Sequence, residues 1–321
     1  MVSLRKWHPM YEDFTIEEGR EKGLTIRFHG PWLDTSMYET PVLSIVNEVY
    51  YRMQYDYAEL FKDFRDRLDD KFLKVLHNTW YTGTFSDFGF RRRLSDEAQE
   101  LAITMFMRLK ERPGCISRFI GTSNVYYAKK HGITAVGTFA HELPMCIGQG
   151  NPKHNPAYSN WYTLDAWFRE YGVLNGIALT DTITTDCFLR DFQYTFASIF
   201  KGVRHDSGDP IFWGEEMLKH YEGLGIDPKS KTLLFSDSLN FKKANNIFWH
   251  FRGQADLAYG IGTYITNDTS AEPLNIVIKP VKCNGWPVAK LSDAAGKCMC
   301  TDEEYLTDLR RSISRRMKYE A

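Results

Sequence analysis

The sequence has no excess of charge of either sign and no long apolar run. Its 40 Lys and Arg residues nearly balance its 41 Asp and Glu residues, which gives a formal net charge of −1. Nucleic-acid-binding proteins usually carry a basic surface, so we expect no nucleic-acid partner. No apolar run approaches the roughly 20 residues of a membrane-spanning helix, so we expect no membrane partner. The first residues also lack the apolar stretch of a secretory signal.

Cysteine is sparse, and the common cofactor signatures are missing. The six cysteines lie at positions 115, 146, 187, 283, 298 and 300 and form no CxxC pair, so we expect reduced thiols and a cytoplasmic location. The chain has no Walker A motif, no HExxH motif and no Cys/His zinc pattern. Gly148-Gln-Gly-Asn lacks the third glycine of a dinucleotide fingerprint. These absences argue against a zinc enzyme and against P-loop or dinucleotide binding.

The chain does contain a repeated pattern between residues 80 and 265. A short apolar or β-branched run is followed by a polar cluster with glycine, and most of the segments between runs have helical spacing. Tandem units of this kind predict a parallel sheet covered by helices. The seven predicted strands are Tyr81–Phe85, Cys115–Ile120, Ile133–Val136, Ile177–Leu179, Ile199–Val203, Thr232–Phe235 and Leu257–Ile261.

A polar cluster lies at or just after the end of every predicted strand. A doubly wound sheet concentrates its site at one switch point, whereas an α/β barrel draws site residues from the ends of most strands. We therefore predict an irregular, TIM-like α/β barrel of about seven strands over residues 81–270. The clusters are Ser86–Gly89, Gly121–Asn124, Gly137–Glu142, Thr180-Asp181, Arg204–Asp209, Ser236–Ser238 and Gly260–Thr263.

The flanking segments predict a small split α+β accessory domain. Leu24–Phe28 alternates like an edge strand, and the segment 41–76 has a long helical pattern. Residues 275–282 and 286–291 are predicted to form two strands around an Asn284-Gly285 turn. We expect this hairpin to join residues 1–40 in one antiparallel unit beside the barrel. The predicted domains are thus 1–80, 81–270 and 271–321, with a charged surface helix over Asp302–Lys318.

The segment Gly202–Pro210 combines a cation, two carboxylates, a hydroxyl and a flexible glycine. Arg204 suits phosphate or carboxylate in a two-pronged contact, and short acids bind hydroxyls or a metal. Asp206, Asp209 and Asp237 could hold ribose hydroxyls directly or through Mg²⁺. A polar turn with helix N-caps is the alternative for each of them. We expect His205 to be a hydrogen-bonded turn residue.

Three other strand ends carry candidate chemistry. His141 could act as a general base or as a nucleophile toward phosphoryl groups, with a purely structural role as the alternative. Gly260-Ile-Gly-Thr263 offers backbone N–H groups and a hydroxyl to a phosphate, or its glycines could simply allow tight strand packing. Three consecutive arginines at 91–93 cannot all face a site.

These motifs occur in one order along the whole chain, and shorter matches extend them at Gly30-Pro-Trp32, Glu39-Thr-Pro41 and 273–279. Together they resemble the motif series of the nicotinate phosphoribosyltransferase family. The main series is Asp87-Phe-Gly89 with Arg91, Gly121-Thr-Ser-Asn124, Gly137-Thr-Phe-Ala-His141, Gly202-Val-Arg-His-Asp-Ser-Gly-Asp209, Ser236-Asp237 and Gly260-Ile-Gly-Thr263.

The resemblance implies an enzyme that joins nicotinate to phosphoribosyl pyrophosphate, giving nicotinate mononucleotide and pyrophosphate. ATP hydrolysis would drive this first step of NAD salvage from nicotinate. It further implies an α/β barrel with a split accessory domain, a cytoplasmic homodimer with sites near its interface, and Mg²⁺.

The resemblance also assigns roles to residues. His141 would be transiently phosphorylated by ATP, Asp206 would be catalytic, and Asp206 with Asp237 would contact ribose or Mg²⁺. Phe88 would stack on the pyridine ring, while Thr138 and Arg204 would contact nicotinate. The full set of implied substrate contacts is Phe88, Arg91, Ser123, Asn124, Thr138, Arg204, Ser207, Gly208, Asp209, Asp237, Gly262 and Thr263.

Two alternatives stay open. Relatives that bind the neutral amide place Asp where Asn124 stands here, so Asn fits an acidic substrate and a nicotinamide-using relative is the nearest rival. The family's upstream Asp-x-Tyr-Lys segment is not found in residues 1–40. A catalytically impaired fragment or a non-catalytic subunit is therefore the other alternative.

Overall fold

The computed structural model describes residues 14–18, 23–78, 83–115, 117–174 and 176–319. The described strands are β1 (Phe14–Glu18), β2 (Leu24–Phe28), β3 (Thr84–Asp87), β4 (Arg118–Thr122), β5 (Thr134–Ala135), β6 (Ile177–Leu179), β7 (Gly202–His205), β8 (Thr232–Phe235), β9 (Asp256–Ile261), β10 (Lys282–Cys283) and β11 (Trp286–Pro287). The α-helices are α1 (Trp32–Ser36), α2 (Glu39–Gln54), α3 (Tyr57–Leu76), α4 (Asp96–Met107), α5 (Val125–His131), α6 (Ser159–Tyr171), α7 (Thr185–Asp191), α8 (Tyr194–Ile199), α9 (Pro210–Gly223), α10 (Phe241–Phe251), α11 (Thr263–Thr266) and α12 (Glu303–Tyr319).

Seven parallel strands form one sheet in the order β5-β4-β3-β9-β8-β7-β6. The edge strands β5 and β6 lie at opposite ends of this order, yet the segments that follow them meet. The Thr138 hydroxyl accepts a hydrogen bond from Arg204, 2.8 Å away, and His141 lies 3.1 Å from Thr182. The sheet must therefore curl into an open barrel, which confirms the predicted α/β barrel of seven strands.

Aromatic side chains fill the space between the sheet and its helices. The Phe85 ring packs edge-on against Phe106 and Phe241, with centroid distances of 5.3 and 5.1 Å. Every residue of β8 is buried, and the Phe235 ring stacks on Tyr259. Strands of a parallel sheet are covered on both faces, so this uninterrupted burial is the expected pattern.

Side chains cap two barrel helices at their N-termini. The Ser95 hydroxyl caps α4, and the Asp209 carboxylate accepts hydrogen bonds from Ile211 N and Phe212 N at the start of α9. Pro210 occupies the first turn of α9, where its missing N–H costs nothing. Such caps hold the polar strand ends in a fixed geometry.

Two predictions along the chain are wrong in detail. The segment that leads to β7 is not strand, because residues 194–199 form α8, and β7 begins only at Gly202. A Cβ atom at Gly202 would lie 2.0 Å from the Thr232 carbonyl oxygen, so glycine permits the close approach of β7 to β8. The helical stretch 41–76 is interrupted after Gln54, and Asp56 caps the second helix.

The two antiparallel hairpins do not share a sheet within the described residues. β1 pairs with β2, and β10 pairs with β11 across Asn284 and Gly285, which both have positive φ as the predicted turn requires. The expected long strand over 275–282 is reduced to Lys282 and Cys283. Pro280 has no N–H to donate to a ladder, and the Ile276 carbonyl oxygen accepts instead from Arg92.

The predicted C-terminal helix is confirmed as α12, which is anchored by a buried ion pair of 2.6 Å between Arg316 and Asp191. None of the helices in the described part of the chain is long and apolar enough to span a membrane.

Candidate active site

His141 lies in the loop that follows β5 and is almost fully buried. Its Nδ1 atom is 3.1 Å from the Thr182 hydroxyl, and its Nε2 atom is 3.0 Å from Oδ2 of Asp206. Oδ1 of Asp181 lies 3.5 Å from the same Nε2 atom. The loops after β5, β6 and β7 thus bring one imidazole and two carboxylates together, although these loops are far apart in sequence.

Burial favours a neutral imidazole at His141, whereas the two carboxylates beside it favour the protonated form. Burial lowers the pKa of His141 and outweighs the opposing effect of the hydrogen bond that His141 makes to Asp206. Burial also disfavours the charged form of Asp206, but the Arg204 guanidinium and His141 hold its pKa well below the usual range. A neutral imidazole retains a lone pair, so this state could act as a base or as a nucleophile.

Arg204 projects from β7 and uses both sides of its guanidinium. Nε donates to the Ser236 hydroxyl at 2.8 Å, and Nη1 donates to the Thr138 hydroxyl at 2.8 Å. Nη2 donates to Oδ1 of Asp206 at 2.7 Å. The guanidinium carbon also lies 5.8 Å from the centroid of the Phe88 ring. Arg204 therefore presents a fixed cation next to an aromatic face, a suitable environment for a flat anionic ligand.

The glycines at the end of β9 shape the position of Phe88. A Cβ atom at Gly260 would lie 2.5 Å from the Phe88 ring, so only glycine leaves enough space for the ring at this position. Gly262 precedes the short helix α11, which begins at Thr263 and lies near the Phe88 backbone. This geometry agrees with the tight-packing interpretation of the motif, and the phosphate interpretation stays a prediction.

Asp237 and Asp206 are linked through a lysine that sequence reasoning missed. The Lys297 ammonium donates to Oδ1 of Asp237 at 2.6 Å and to the Asp206 carbonyl oxygen at 3.0 Å. Asp209 caps α9, and Gly208 supplies a positive φ of 84° in the turn before it. The N-cap alternative considered for Asp209 is thus observed.

A second missed lysine lies beneath His141. Lys290 is buried, and its Nζ atom is 3.4 Å from Oδ2 of Asp181, which is also buried. The same oxygen accepts hydrogen bonds from the Ser207 and Ser292 hydroxyls, at 2.6 and 2.9 Å. Burial acts against the ionised form of Asp181, yet His141 and Lys290 keep its pKa below the usual value.

Several predicted contact residues use their polar groups for contacts within the protein. Asn124 is buried and fully engaged: its Oδ1 atom caps α5 through Tyr126 N, and its Nδ2 atom donates to Gln99. Ser207 points to Asp181, as described above. The Ser123 backbone N–H donates to the Asp87 carbonyl oxygen. The comparison of Asn124 with an amide-recognising Asp therefore receives no geometric support.

The three consecutive arginines differ in their carboxylate partners. Arg91 pairs with Glu39 at 2.9 Å, and Arg93 pairs with Asp96 at 2.5 Å. Among the described residues, Arg92 alone of the three has no carboxylate within ion-pair distance. Burial and the neighbouring Arg91 cation lower the pKa of Arg92 to about 10, and Asp206 and Asp237 oppose this shift electrostatically.

The segment before the barrel also reaches the site. The Trp32 indole donates to the Glu142 carboxylate, one residue after His141. Glu39 at the start of α2 pairs with Arg91 and lies 3.7 Å from the Lys279 ammonium. Burial raises the pKa of Glu142 and lowers that of Lys279. The site is therefore built from the barrel and from both flanking segments.

His205 is not the turn residue that the sequence predicted. It is the last residue of β7, and its ring is buried between Trp213 and Phe235, at centroid distances of 5.2 and 5.9 Å. Alternation along the strand explains the difference, since Arg204 faces the site and His205 faces the covering helices.

Asp181, Thr182, Lys290 and Lys297 were not proposed as site residues from the sequence. Asp181 and Thr182 do follow a predicted strand, which is a usable signal. Lys290 interrupts the apolar stretch Trp-Pro-Val-Ala-Lys-Leu, and a lysine at such a position is either exposed or paired. Lys297 lies in a segment without clear periodicity, and no sequence signal identifies it.

The chain was compared with known proteins. Residues 84–315 match the nicotinate phosphoribosyltransferase (NAPRTase) family. Similar proteins called nicotinate phosphoribosyltransferase include one from Ralstonia nicotianae, 44% identical over 301 residues, which are 94% of this chain and 75% of the relative. One from Burkholderia cenocepacia is 46% identical over 292 residues, which are 90% of this chain and 70% of the relative.

Solved structures agree with this match. The crystal structure of nicotinate phosphoribosyltransferase from Vibrio cholerae superposes with a TM-score of 0.86 at 35% identity, covering 98% of this chain and 75% of that protein. The corresponding protein from Porphyromonas gingivalis gives a TM-score of 0.83, also at 35% identity, with 94% and 76% of the two chains covered.

Proposed function

This chain belongs to the nicotinate phosphoribosyltransferase family, and we propose that its barrel site carries out the full ATP-coupled reaction. In that reaction the pyridine nitrogen of nicotinate attacks C1 of phosphoribosyl pyrophosphate and pyrophosphate leaves. The products are nicotinate mononucleotide and pyrophosphate, while ATP and water give ADP and phosphate. The family and its relatives support the enzyme class and the substrate pair. The coupling and the residue roles are the proposal.

The observation that carries the substrate assignment is the guanidinium of Arg204 beside Phe88. In our proposal the pyridine ring stacks on Phe88, and its carboxylate accepts hydrogen bonds from Arg204 and the Thr138 hydroxyl. The 5.8 Å separation of guanidinium and ring suits a flat acid placed across both. A neutral amide would gain less from a fixed cation, so the geometry supports nicotinate over nicotinamide.

His141 is the proposed acceptor of the γ-phosphoryl group of ATP. Its neutral imidazole provides the nucleophilic nitrogen, and the contacts to Thr182 and Asp206 orient the ring. The ionised Asp206 would also stabilise the positive charge that develops on the ribose when pyrophosphate departs. Two cations would offset the negative charge of the phosphates in this proposal. They are Arg92, for which the described residues provide no carboxylate partner, and the ammonium of Lys297.

The remaining predicted contacts complete the proposal. Asp237 would bind ribose hydroxyls, and Gly262 with Thr263 would bind the 5-phosphate. Arg91, Ser123, Asn124, Ser207, Gly208 and Asp209 stay in the proposed set as residues that shape the site through their contacts.

Mg²⁺ fits this site as a companion of the substrate phosphates. Asp206 and Asp237 each already have a cationic partner, Arg204 and Lys297 respectively, so they do not form a preformed metal cage. Mg²⁺ commonly binds through one or two carboxylates plus phosphate oxygens. Bound in that way, the ion would neutralise charge on the leaving pyrophosphate. His141, Asp181 and Asp206 form a tighter group of possible ligands, but Lys290 and Arg204 already balance their charge.

The substrates, phosphoribosyl pyrophosphate and ATP included, are the proposed small-molecule partners. A homodimer and a cytoplasmic location remain part of the proposal through family membership.

The test is formation of nicotinate mononucleotide from labelled nicotinate, phosphoribosyl pyrophosphate and Mg²⁺, with and without ATP. We expect product in both reactions and more with ATP, and we expect labelled nicotinamide to be a poor substrate. The Arg204→Ala variant provides the inactive control. Absence of product under all conditions would support the non-catalytic alternative, and preference for nicotinamide would support the rival enzyme.

A further inference from the structure

Two cysteines lie on adjoining segments close to the loop that carries His141. Cys146 lies in the π-helical turn Pro144–Gln149, and Cys283 is the last residue of β10. The Cys283 side chain and the Cys146 carbonyl oxygen both lie against Gly150, the thiol of Cys283 contributes to raising the pKa of Cys146, and both residues are free thiols. The two residues come from the barrel and from the returning hairpin, so the contact joins segments distant in sequence.

The packing holds the hairpin of Cys283 against the π-helical turn of Cys146. A Cβ atom at Gly150 would lie 2.6 Å from Sγ of Cys283 and 2.7 Å from the Cys146 carbonyl oxygen, so glycine is what allows the hairpin to sit so close. Nδ2 of Asn284 donates to the Gly150 carbonyl oxygen at 2.9 Å. The Gln149 amide exchanges two hydrogen bonds with the Ala289 backbone, at 2.8 and 2.7 Å.

The two sulfurs differ in exposure. Cys146 is 5% exposed, and burial raises the pKa of its thiol. Cys283 is partly exposed at the edge of the hairpin. An oxidant from solvent therefore reaches the Cys283 sulfur first, and Cys146 is the nearby thiol for the second step.

We propose that Cys146 and Cys283 form a reversible redox site that reacts with peroxides. The Cys283 thiolate attacks one oxygen of hydrogen peroxide and breaks the O–O bond, which gives a sulfenic acid and hydroxide that takes up a proton to become water. The Cys146 sulfur then attacks the sulfenic sulfur, the S–S bond forms, and a second water leaves. Overall, two thiols and one peroxide give one disulfide and two waters, so the sulfurs lose the two electrons that the peroxide gains.

The disulfide would join two segments that build the active site. The Met145 backbone N–H donates to the His141 carbonyl oxygen, so the turn that holds Cys146 continues directly from the proposed phosphoryl acceptor. The hairpin that holds Cys283 leads to Lys290, which pairs with Asp181 beside the same histidine. The proposal concerns the reactivity of the thiols and does not depend on the proposed function.

The experiment exposes the purified full chain to hydrogen peroxide, blocks the remaining thiols and maps the peptides by mass spectrometry under non-reducing conditions. We expect a cross-linked peptide pair that contains Cys146 and Cys283, with a mass lower by two hydrogen atoms, and complete loss of the link after reduction. Cys115→Ser is the matched control, because Cys115 is also a partly exposed free thiol but lies elsewhere on the barrel. This variant should form the same cross-link.

The Cys146→Ser variant tests the division of roles. Without the Cys146 thiol, no reducible cross-link should form. Cys283 should instead accumulate sulfinic and sulfonic acids, which a thiol reductant does not remove. Cys146→Ala repeats the test with an apolar side chain in case serine disturbs the buried position. Oxygen adducts on wild-type Cys283 with no link to Cys146, or a dominant link between Cys298 and Cys300, would overturn the proposal.

Discussion

Nε2 of His141 and Oδ2 of Asp206 lie 3.0 Å apart, although His141 follows the edge strand β5 and Asp206 follows β7, which is next to the opposite edge of the sheet. The carboxylate fixes the ring and balances any positive charge that the ring acquires. Arg204 on the other side of Asp206 keeps that carboxylate ionised. The imidazole, the acid and the guanidinium therefore act as one electrostatic unit.

The first prediction concerns phosphoryl transfer. His141→Asn should bring the ratio of rates with and without ATP to about one, because the nucleophile is lost while the substrate contacts remain. Slow ATP-independent synthesis should persist. ATP labelled in its γ-phosphate should give an acid-labile protein adduct in the wild type and none in the variant. The control is His131→Asn, because His131 lies at the end of α5 and pairs with Glu100 of α4. Full ATP stimulation in His141→Asn would refute the assignment.

The second prediction concerns recognition of the acid. Arg204→Lys should lower kcat/KM for nicotinate by about 30-fold or more, since losing a buried two-pronged charge pair costs about 2–5 kcal/mol. Lysine keeps the charge but cannot contact Thr138, Ser236 and Asp206 together. Steady-state kinetics with nicotinate varied provide the measurement. Arg252→Lys, at an exposed position over Trp249, should leave kcat/KM unchanged. An unaltered value in Arg204→Lys would remove Arg204 from the nicotinate site.

The third prediction tests the aromatic face. Gly260→Ala should displace the Phe88 ring, because the new methyl group would lie 2.5 Å from it. Loss of ring stacking, about 0.5–1.5 kcal/mol, corresponds to a decrease in kcat/KM for nicotinate of about 2- to 12-fold. A Cβ atom at Gly223 would have no atom within 4 Å, so Gly223→Ala serves as the control. Equal kinetics in the two variants would show that the ring position does not matter.

The fourth prediction concerns the buried pair beneath the histidine. Lys290→Met should lower the free energy of unfolding by about 3–5 kcal/mol, because Asp181 would remain buried without its cation. Asp181→Asn should cost a similar amount, and the double variant should cost less than the sum of the two. Urea unfolding of all four proteins gives the coupling energy. Additive losses would mean that the 3.4 Å contact contributes no interaction of its own.

The fifth prediction is a pH dependence. Burial lowers the pKa of His205 in the folded protein, so below about pH 6.5 the unfolded chain binds a proton that the folded chain does not. This term makes the free energy of unfolding fall as the pH decreases from 7 to 5. Buried carboxyls with raised pKa values, such as Asp87 and Glu142, contribute with the opposite sign. The comparison must therefore be made between variants.

His205→Gln should reduce the slope of unfolding free energy against pH between 5 and 7, by up to about 1.4 kcal/mol per pH unit. The Asp206 contribution does not interfere, because its pKa is lowered and it is lost only below the ordinary carboxyl range. Urea unfolding at several pH values provides both curves. Parallel curves would mean that His205 binds its proton equally in both states.

The sequence predicted the barrel well because its signals are local. β6 and β8 match their predicted ranges residue for residue, since a buried parallel strand is a short apolar run between polar clusters. The β7 start was missed because Phe196 and Ile199 are apolar in a helix as well as in a strand. Periodicity cannot separate these two cases in so short a run.

The site was predicted only where its residues follow strands. His141, Arg204 and Asp206 could be identified in this way. Lys290 and Lys297 could not, because they reach the site through a segment with little regular structure, and long-range pairing leaves no local signal. Asn124 was assigned a ligand contact through the family resemblance; its side chain caps α5, and the contact stays a prediction.

The open side of the barrel has a consequence for how the protein responds to its ligands. Within the described residues, backbone hydrogen bonds join every neighbouring pair of strands from β5 round to β6, but not β5 to β6 themselves. Side-chain contacts bridge that seam, between Thr138 and Arg204 and between His141 and both Thr182 and Asp206. A ligand that binds these side chains would change the contacts across the seam with the same atoms that recognise it. Ligand binding would therefore act on the seam directly, and no hydrogen bond between neighbouring strands would have to break.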